Sequence, residues 1–95
     1  PEKIREVRNF FGPVLGTTYG QTEAPQILTV MRPEDFEQEA NWAAVGRRTW
    51  YSDVAIMSPD GLLLETGEVG EVVARGPLVM TGYWNLRLAS KNRPW

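Results

Sequence analysis

The first eleven residues carry apolar side chains at a helical spacing. Ile4, Val7 and Phe11 are three or four positions apart and lie among charged residues, which is typical of an amphipathic helix. Gly12 and Pro13 follow directly, and this pair favours a helix stop. The pattern therefore predicts a short helix that ends near Phe11.

Two short strands and a weaker helix are predicted next. The segment PVLGTTYG (13–20) joins a brief apolar run to β-branched residues, which is typical of a strand, and the polar residues at its C-terminal end are expected to form a loop. The segment QILTVM (26–31) predicts another strand. The acidic segment PEDFEQEAN (33–41) favours a helix, because proline suits a first helical turn and carboxylates suit a helix N-terminus. Its few apolar residues predict a weakly packed surface helix.

From Trp50 onward the apolar residues alternate with a period of two, which predicts strands at YSDVAIM (51–57) and EVVARG (71–76). Val54 and Ile56 share one face of the first strand, and Val72 and Ala74 share one face of the second. The segment SPDG (58–61) predicts a turn, because proline fixes its own φ and glycine tolerates positive φ. The second half of the chain is therefore expected to be an antiparallel β unit.

Composition and charge exclude several classes of function. The chain has 95 residues, 42% hydrophobic and 23% charged, which is typical of one ordinary globular domain at most. A formal charge of −2 disfavours binding to nucleic acid or to an anionic membrane. The absence of cysteine and histidine excludes disulfides, thiolate metal sites and histidine-dependent catalysis. No apolar run reaches the length of a membrane span, and we expect a cytoplasmic protein.

The two ends of the sequence are typical of a segment of a larger protein, because neither PEKIREVRNFF nor KNRPW reads as a closing element. Such a segment is expected to expose apolar surface that its neighbours cover in the whole protein. The candidates are the tryptophans, Trp42, Trp50, Trp84 and Trp95. Self-association of the isolated chain through that surface is expected.

The stretch TTYGQTEAP (17–25) concentrates polar side chains with binding chemistry. The Tyr19 ring can stack on an aromatic base, and Gly20 lets a ligand approach the backbone. The Thr22 hydroxyl suits a phosphate oxygen, and the Glu23 carboxylate is a hard ligand of the type that holds Mg²⁺ beside substrate phosphates. Chemistry alone leaves two interpretations open, a nucleotide-binding loop and a polar surface loop with a solvated carboxylate.

Three segments, in order, resemble the adenylate-forming superfamily of acyl-CoA synthetases, luciferases and peptide-synthetase adenylation domains. YGQTE (19–23) matches the Tyr-Gly-x-Thr-Glu motif of that family, and AVGRR (44–48) matches its small-x-Val-Gly segment. GEVGEVVARGPLVMTGYWN (67–85) matches its Gly-Glu-x-Gly-Glu to Gly-Tyr block. The resemblance implies a helix and strand from the edge of an α/β domain over 1–41. It implies an antiparallel β unit of the adjoining subdomain over 42–95, both within one larger AMP-binding domain.

The resemblance implies a role for each position of the motif. Thr18 and Tyr19 would line the adenine site, with the Tyr19 ring against the base. Thr22 would bond the α-phosphate and then the acyl-adenylate phosphate, and Glu23 would bind Mg²⁺. Thr22 and Glu23 are therefore the candidate catalytic residues.

Gly20 and Gln21 would lie beside the carboxylate substrate in this family. Peptide-synthetase adenylation domains often carry proline where this chain has Gln21, which favours an acyl-CoA synthetase. The parent protein is then expected to use ATP to activate a fatty or other organic acid and to transfer the acyl group to CoA. Two alternatives stay open. One is an adenylation domain of another branch, carrier-loading or luciferase-like, and the other is a non-catalytic β-rich binding module.

The resemblance also implies parts that this sequence lacks. They are a Ser/Thr/Gly-rich pyrophosphate loop upstream, a ribose-binding aspartate after RPW, and a C-terminal domain with a catalytic lysine. Lys3 and Lys91 match no motif of the family and are assigned no role. The isolated chain is therefore expected to be inactive.

The block GEVGEVVARGP (67–77) is interpreted as structural, because glycines at strand ends usually serve turns. Arg75 is expected to face solvent, and Tyr83 and Trp84 are expected to pack.

Overall fold

The computed structural model of the protein describes residues 1–85 and Trp95, and Lys91 lies outside the described residues. Helix α1 spans Glu2–Phe11, and the strands are β1 Thr17–Gln21, β2 Ala24–Met31, β3 Arg47–Arg48, β4 Asp53–Met57 and β5 Glu71–Arg75. Two short 3-10 helices, Pro33–Glu37 and Glu39–Asn41, lie between β2 and β3. These elements confirm the predicted α+β class.

Helix α1 ends where the sequence predicts. The N–H of Gly12 donates to the Arg8 carbonyl at 2.9 Å, and Gly12 has a φ of 81°, a left-handed value that glycine adopts at little cost. None of the ten helical residues is buried, and Phe10 is 82% exposed. Within residues 1–85 and Trp95, no helix combines the length and the apolar character needed to cross a membrane.

The first sheet places β2 between β1 and β3, all antiparallel. The prediction of a strand at 13–20 followed by a polar loop was wrong in its bounds, because β1 begins only at Thr17 and runs through Gln21. The polar residues join the ladder since Thr17–Tyr19 pair with Thr29–Met31 of the apolar neighbour. Threonine and tyrosine also suit a pleated strand. The motif is therefore mostly strand, and only its last two residues form a turn.

The buried core is small and centres on β2, whose predicted existence is confirmed. The buried residues of this region are Ala24, Leu28, Thr29, Met31 and Phe36. The prediction of a weakly packed surface helix at 33–41 was wrong, since this segment forms 3-10 turns and Phe36 is only 1% exposed. The first turn is fixed by Pro33 and by the Asp35 carboxylate, which accepts the Arg32 N–H at 2.9 Å.

The second sheet pairs β4 with β5 and confirms the predicted alternation. Val54 lies opposite Ala74 and Ile56 opposite Val72, so these four apolar residues share one face. The predicted turn is also present, because Gly61 has a φ of 84° and its N–H donates to the Ser58 carbonyl at 2.9 Å.

Arg75 on β5 is exposed, as the sequence predicts, but it is also paired. Its Nε donates to Asp53 Oδ2 at 3.1 Å. Its guanidinium carbon lies 4.2 Å from the centroid of the Trp95 ring, within the range of a cation–π contact.

The predicted exposure of the tryptophans holds for two of the four. Trp50 is 86% exposed and Trp84 is 92% exposed. Trp42 and Trp95 are half-buried. Trp42 donates a hydrogen bond to the Phe36 carbonyl, and the Trp95 ring lies against the Arg75 guanidinium. Self-association through the exposed residues stays a prediction.

Replacement of Trp42 by phenylalanine is expected to destabilise the first sheet by about 1 kcal/mol, the usual net contribution of one hydrogen bond. Trp42 Nε1 donates to the Phe36 carbonyl at 2.8 Å, and phenylalanine leaves that carbonyl without its donor. Hydrogen exchange of the β2 amides measures the local opening free energy. Trp50→Phe is the control and should change it little, because Trp50 is 86% exposed. Equal effects of the two substitutions would contradict this assignment.

Candidate functional site

Strand β1 carries the first part of the polar motif and separates its side chains between two faces. Tyr19 and Gln21 lie on one face, where Gln21 Nε2 donates to Tyr19 Oη at 2.9 Å. Tyr19 is half-buried, so part of its ring stays accessible. Thr18 and Gly20 are exposed and alternate with them onto the opposite face. The register shifts between Tyr19 and Gln21, so Gly20 lies at an irregularity of the ladder.

The tight turn between β1 and β2 presents Thr22 and Glu23, and both residues are exposed. Glu23 is held at two points by the segment that follows β5. The Met80 N–H donates to the Glu23 carbonyl at 2.8 Å, and Tyr83 Oη donates to Glu23 Oε1 at 2.5 Å. The turn therefore fixes the backbone and the side chain of this residue while leaving the neighbouring Thr22 hydroxyl exposed.

The bond between Tyr83 and Glu23 sets the charge of this pair. The phenol holds the pKa of the Glu23 carboxyl below its usual range, and the Glu23 backbone N–H acts in the same direction. The carboxylate in turn raises the pKa of the Tyr83 phenol. At neutral pH the turn thus presents an ionised carboxylate that is bonded to a protonated tyrosine.

Sequence reasoning missed Tyr83 as part of this site. Tyr83 was expected only to pack, but its hydroxyl also bonds the Glu23 carboxylate. Residues 60 positions apart show no periodicity that would reveal their contact. The one available indication is chemical, since a tyrosine combines an apolar ring with a hydroxyl that seeks a partner.

A small cavity adjoins the motif on the face of Tyr19 and Gln21. Its volume is about 140 Å³, whereas pockets for small-molecule ligands usually measure roughly 300–1,000 Å³. The lining residues are Tyr19, Gln21, Glu23, Ala24, Leu28, Val72, Ala74 and Val79. The cavity alone is therefore too small for a nucleotide.

A larger groove, about 760 Å³, lies elsewhere. Its lining residues are Ile27, Val30, Arg32, Arg48, Thr49, Trp50 and Tyr51. None of them belongs to the motif at 18–23. The larger groove and the residues with candidate binding chemistry therefore lie in different parts of the structure. We place the candidate site at the motif, because an aromatic ring, a hydroxyl and a carboxylate follow one another there in Tyr19, Thr22 and Glu23.

The turn fits one kind of metal site. Residues 1–85 and Trp95 contain no group of three or more metal-ligating side chains, which argues against a cation held by this segment alone. Mg²⁺ in nucleotide sites is instead held by one or two carboxylates together with substrate phosphates. Glu23, ionised and exposed beside the Thr22 hydroxyl, fits that arrangement.

Comparison with known proteins decides the family. The sequence profile of the AMP-binding enzymes matches residues 1–84. The chain belongs to the AMP-binding enzyme family. This confirms the resemblance that the YGQTE motif and its two companion segments indicated.

Individual relatives agree with this assignment. Medium/long-chain-fatty-acid–CoA ligase FadD8 of Mycobacterium tuberculosis is 38% identical over 86 residues, covering 90% of this chain and 15% of that protein. Indoleacetate–CoA ligase of Aromatoleum aromaticum is 37% identical over 86 residues, covering 90% of this chain and 16% of that protein. The chain thus spans about one sixth of the length of these relatives.

A solved structure of a related enzyme has the same fold as this chain. The amide bond synthetase McbA from Marinactinospora thermotolerans superposes with a TM-score of 0.84 at 35% sequence identity. The superposition covers 90% of this chain and 17% of McbA. It supports the predicted α+β architecture.

Proposed function

We propose that the chain is a segment of an ATP-dependent carboxylate–CoA ligase and that residues 18–23 form one side of its adenylate site. The observation that carries the proposal is the Glu23 carboxylate, which is held by Tyr83 and Met80 at an exposed turn beside Thr22. Membership of the AMP-binding enzyme family supports adenylation as the type of reaction. The CoA ligases among the relatives support CoA as the acceptor of the acyl group.

The proposed reaction has two steps. A carboxylate oxygen of the acid attacks the α-phosphorus of ATP, the bond to the β-phosphate oxygen breaks, and pyrophosphate leaves. The CoA thiolate then attacks the acyl carbon and AMP leaves with the electron pair of the broken acyl–oxygen bond. Positioning and charge stabilisation are the main contributions of a protein to such a reaction, and the motif offers groups for both.

Each motif residue has a proposed task. Thr22 donates its hydroxyl hydrogen to an α-phosphate oxygen and keeps that contact in the acyl-adenylate. Tyr19 binds the adenine with its half-exposed ring against the base. Thr18 lies on the opposite face of β1 and lines the adenine site through its backbone. Glu23 holds Mg²⁺, which when bound neutralises part of the phosphate charge.

The remaining two motif residues, Gly20 and Gln21, are proposed to lie beside the acid. Gly20 contributes no side chain, so a substrate can approach the strand closely. Gln21 is already oriented by its bond to Tyr19 Oη. Substitutions at this pair are therefore expected to change acid preference more than nucleotide affinity.

A second candidate differs in the acceptor. McbA is described as an amide bond synthetase, so its similarity to this chain favours an amine acceptor as the alternative to CoA. Incubation of the full-length protein with ATP, Mg²⁺, a fatty acid or indoleacetate, and either CoA or an amine separates the two. The proposal expects AMP and a CoA thioester. Amide without thioester would establish the second candidate, and no AMP with any acid would overturn both.

Substitution of Thr22 by alanine is expected to slow adenylation by roughly 10- to 100-fold, the loss that corresponds to one hydrogen bond to a charged group. Carboxylate-dependent exchange of pyrophosphate into ATP by the full-length protein measures it. Thr66→Ala, an identical change at another exposed turn, is the control and should leave exchange unchanged. A Thr22→Ala enzyme as fast as the control would remove Thr22 from the site.

A further inference from the structure

Two motif blocks that lie far apart in the sequence meet at one residue. The segment TGYWN (81–85) follows β5, and the YGQTE motif (19–23) spans the end of β1 and the turn after it. The Tyr83 hydroxyl bridges 60 positions to bond the Glu23 carboxylate at 2.5 Å. Close by, the Met80 N–H bonds the Glu23 carbonyl at 2.8 Å. Residue 23 is therefore held from the side of the second sheet.

The hydrogen bond from Tyr83 orients the Glu23 side chain and does not contribute to core packing. Tyr83 is 42% exposed, so its ring is not part of the buried core. The bond joins a phenol to a carboxylate, and such charge-assisted bonds are short and directional. The hydroxyl contacts Oε1, one of the two oxygens of an exposed carboxylate.

We propose that Tyr83 is a positioning residue, which fixes the orientation of the Glu23 carboxylate that would hold the cation of a bound nucleotide–metal complex. This inference rests on the proposed function. An exposed glutamate on a turn has three rotatable side-chain bonds and loses rotamer freedom when it binds. A phenol that holds it in one orientation beforehand removes part of that loss, as outer partners of metal ligands generally do.

The main-chain bond between Met80 and Glu23 makes it possible to distinguish a positioning role of Tyr83 from a general role in stability. The Met80–Glu23 bond joins main-chain atoms and is independent of the tyrosine hydroxyl. Tyr83→Phe should therefore leave the turn in place and free only the carboxylate. A purely structural tyrosine would instead lower the melting temperature and leave the affinity of the folded protein for the cation unchanged.

The test is an equilibrium titration of the full-length protein with Mn²⁺ in the presence of a non-hydrolysable ATP analogue, followed by electron paramagnetic resonance. Tyr83→Phe is expected to weaken Mn²⁺ binding roughly tenfold, the lower end of the usual effect of removing a partner of a metal ligand, with an unchanged melting temperature. Tyr51→Phe removes an exposed tyrosine hydroxyl outside the motif and should bind as the wild type does.

The double variant Glu23→Gln/Tyr83→Phe separates the failure of this inference from that of the proposed function. If Tyr83 acts through Glu23, Tyr83→Phe adds no further loss once Glu23→Gln is present. Losses that multiply would overturn the inference, as would a Tyr83→Phe protein that binds Mn²⁺ like the wild type while Glu23→Gln binds weakly. In both cases the proposed role of Glu23 stands. Wild-type binding by Glu23→Gln itself would overturn that role and the inference with it.

Discussion

Replacement of Glu23 by glutamine is expected to lower kcat/KM for adenylation about 100-fold in the full-length enzyme, a size typical for the loss of one group that stabilises transition-state charge. The substitution keeps the shape of the side chain and removes its charge. Since the proposed task of Glu23 is to hold Mg²⁺, the variant should also need more Mg²⁺ to reach half its maximal rate. Carboxylate-dependent ATP–pyrophosphate exchange across a Mg²⁺ series measures both effects.

The control for this prediction is Glu37→Gln, which makes the same change at an exposed carboxylate on the first 3-10 helix. It should keep the wild-type rate and the wild-type Mg²⁺ dependence. A Glu23→Gln enzyme with a reduced rate but an unchanged Mg²⁺ requirement would place Glu23 in the site without a metal role. Wild-type values for both quantities would remove Glu23 from the site.

Replacement of Gly46 by alanine is expected to destabilise the first sheet by about 2 to 5 kcal/mol, the sum of left-handed strain and overpacking. Gly46 has a φ of +96°, and an added Cβ would lie 2.2 Å from the Val30 carbonyl oxygen and 2.6 Å from the Met31 nitrogen. Those atoms belong to β2, so the clash cannot be relieved by a side-chain rotation. Hydrogen exchange of the β2 amides measures the loss.

Gly61→Ala separates the clash from the backbone strain. Gly61 also has a left-handed φ, +84°, but a Cβ there meets nothing within 4 Å in the described part of the chain. Its expected cost is therefore only about 1–2 kcal/mol, the strain alone, and it should be measured at the turn after β4. If Gly46→Ala costs no more than Gly61→Ala, close packing of the AVGRR segment on β2 does not contribute to stability.

Elements with strong local patterns could be predicted from the sequence. The apolar spacing of Ile4, Val7 and Phe11 gives α1, and Gly12 ends it. Alternation gives β4 and β5 and the face of each strand on which its apolar residues lie, while the pairing of the two faces comes from the structure. In these segments local propensity and tertiary packing favour the same conformation, so pattern alone suffices.

The errors lie where distant pairing decides the structure. Polar residues 17–21 were expected to be mainly loop, and they form a strand because the apolar β2 lies alongside them. The acidic segment 33–41 was expected to be a weakly packed helix, yet Phe36 is buried within it. Two apolar residues in nine, Phe36 and Ala40, are too few to define a buried face, so the burial of Phe36 depends on the neighbouring sheet and not on its own segment.

The family could be predicted from the sequence, but the geometry of the candidate site could not. The residue types of the motif left a nucleotide-binding loop and a polar surface loop open, and the family match favours the first. The partition of Tyr19 and Gln21 from Thr18 and Gly20 follows from the true bounds of β1, Thr17–Gln21, which the sequence did not predict. The bond from Tyr83 depends on how the segment after β5 returns to the turn, and no local pattern encodes that.

The most direct test of the central claim is a crystal structure of the full-length protein with a non-hydrolysable acyl-adenylate analogue. We predict that the adenine lies against the Tyr19 ring and that the Thr22 hydroxyl lies within hydrogen-bond distance of the group that replaces the phosphate. An analogue bound without contact to residues 18–23, for example in the groove beside Trp50 and Tyr51, would contradict the claim.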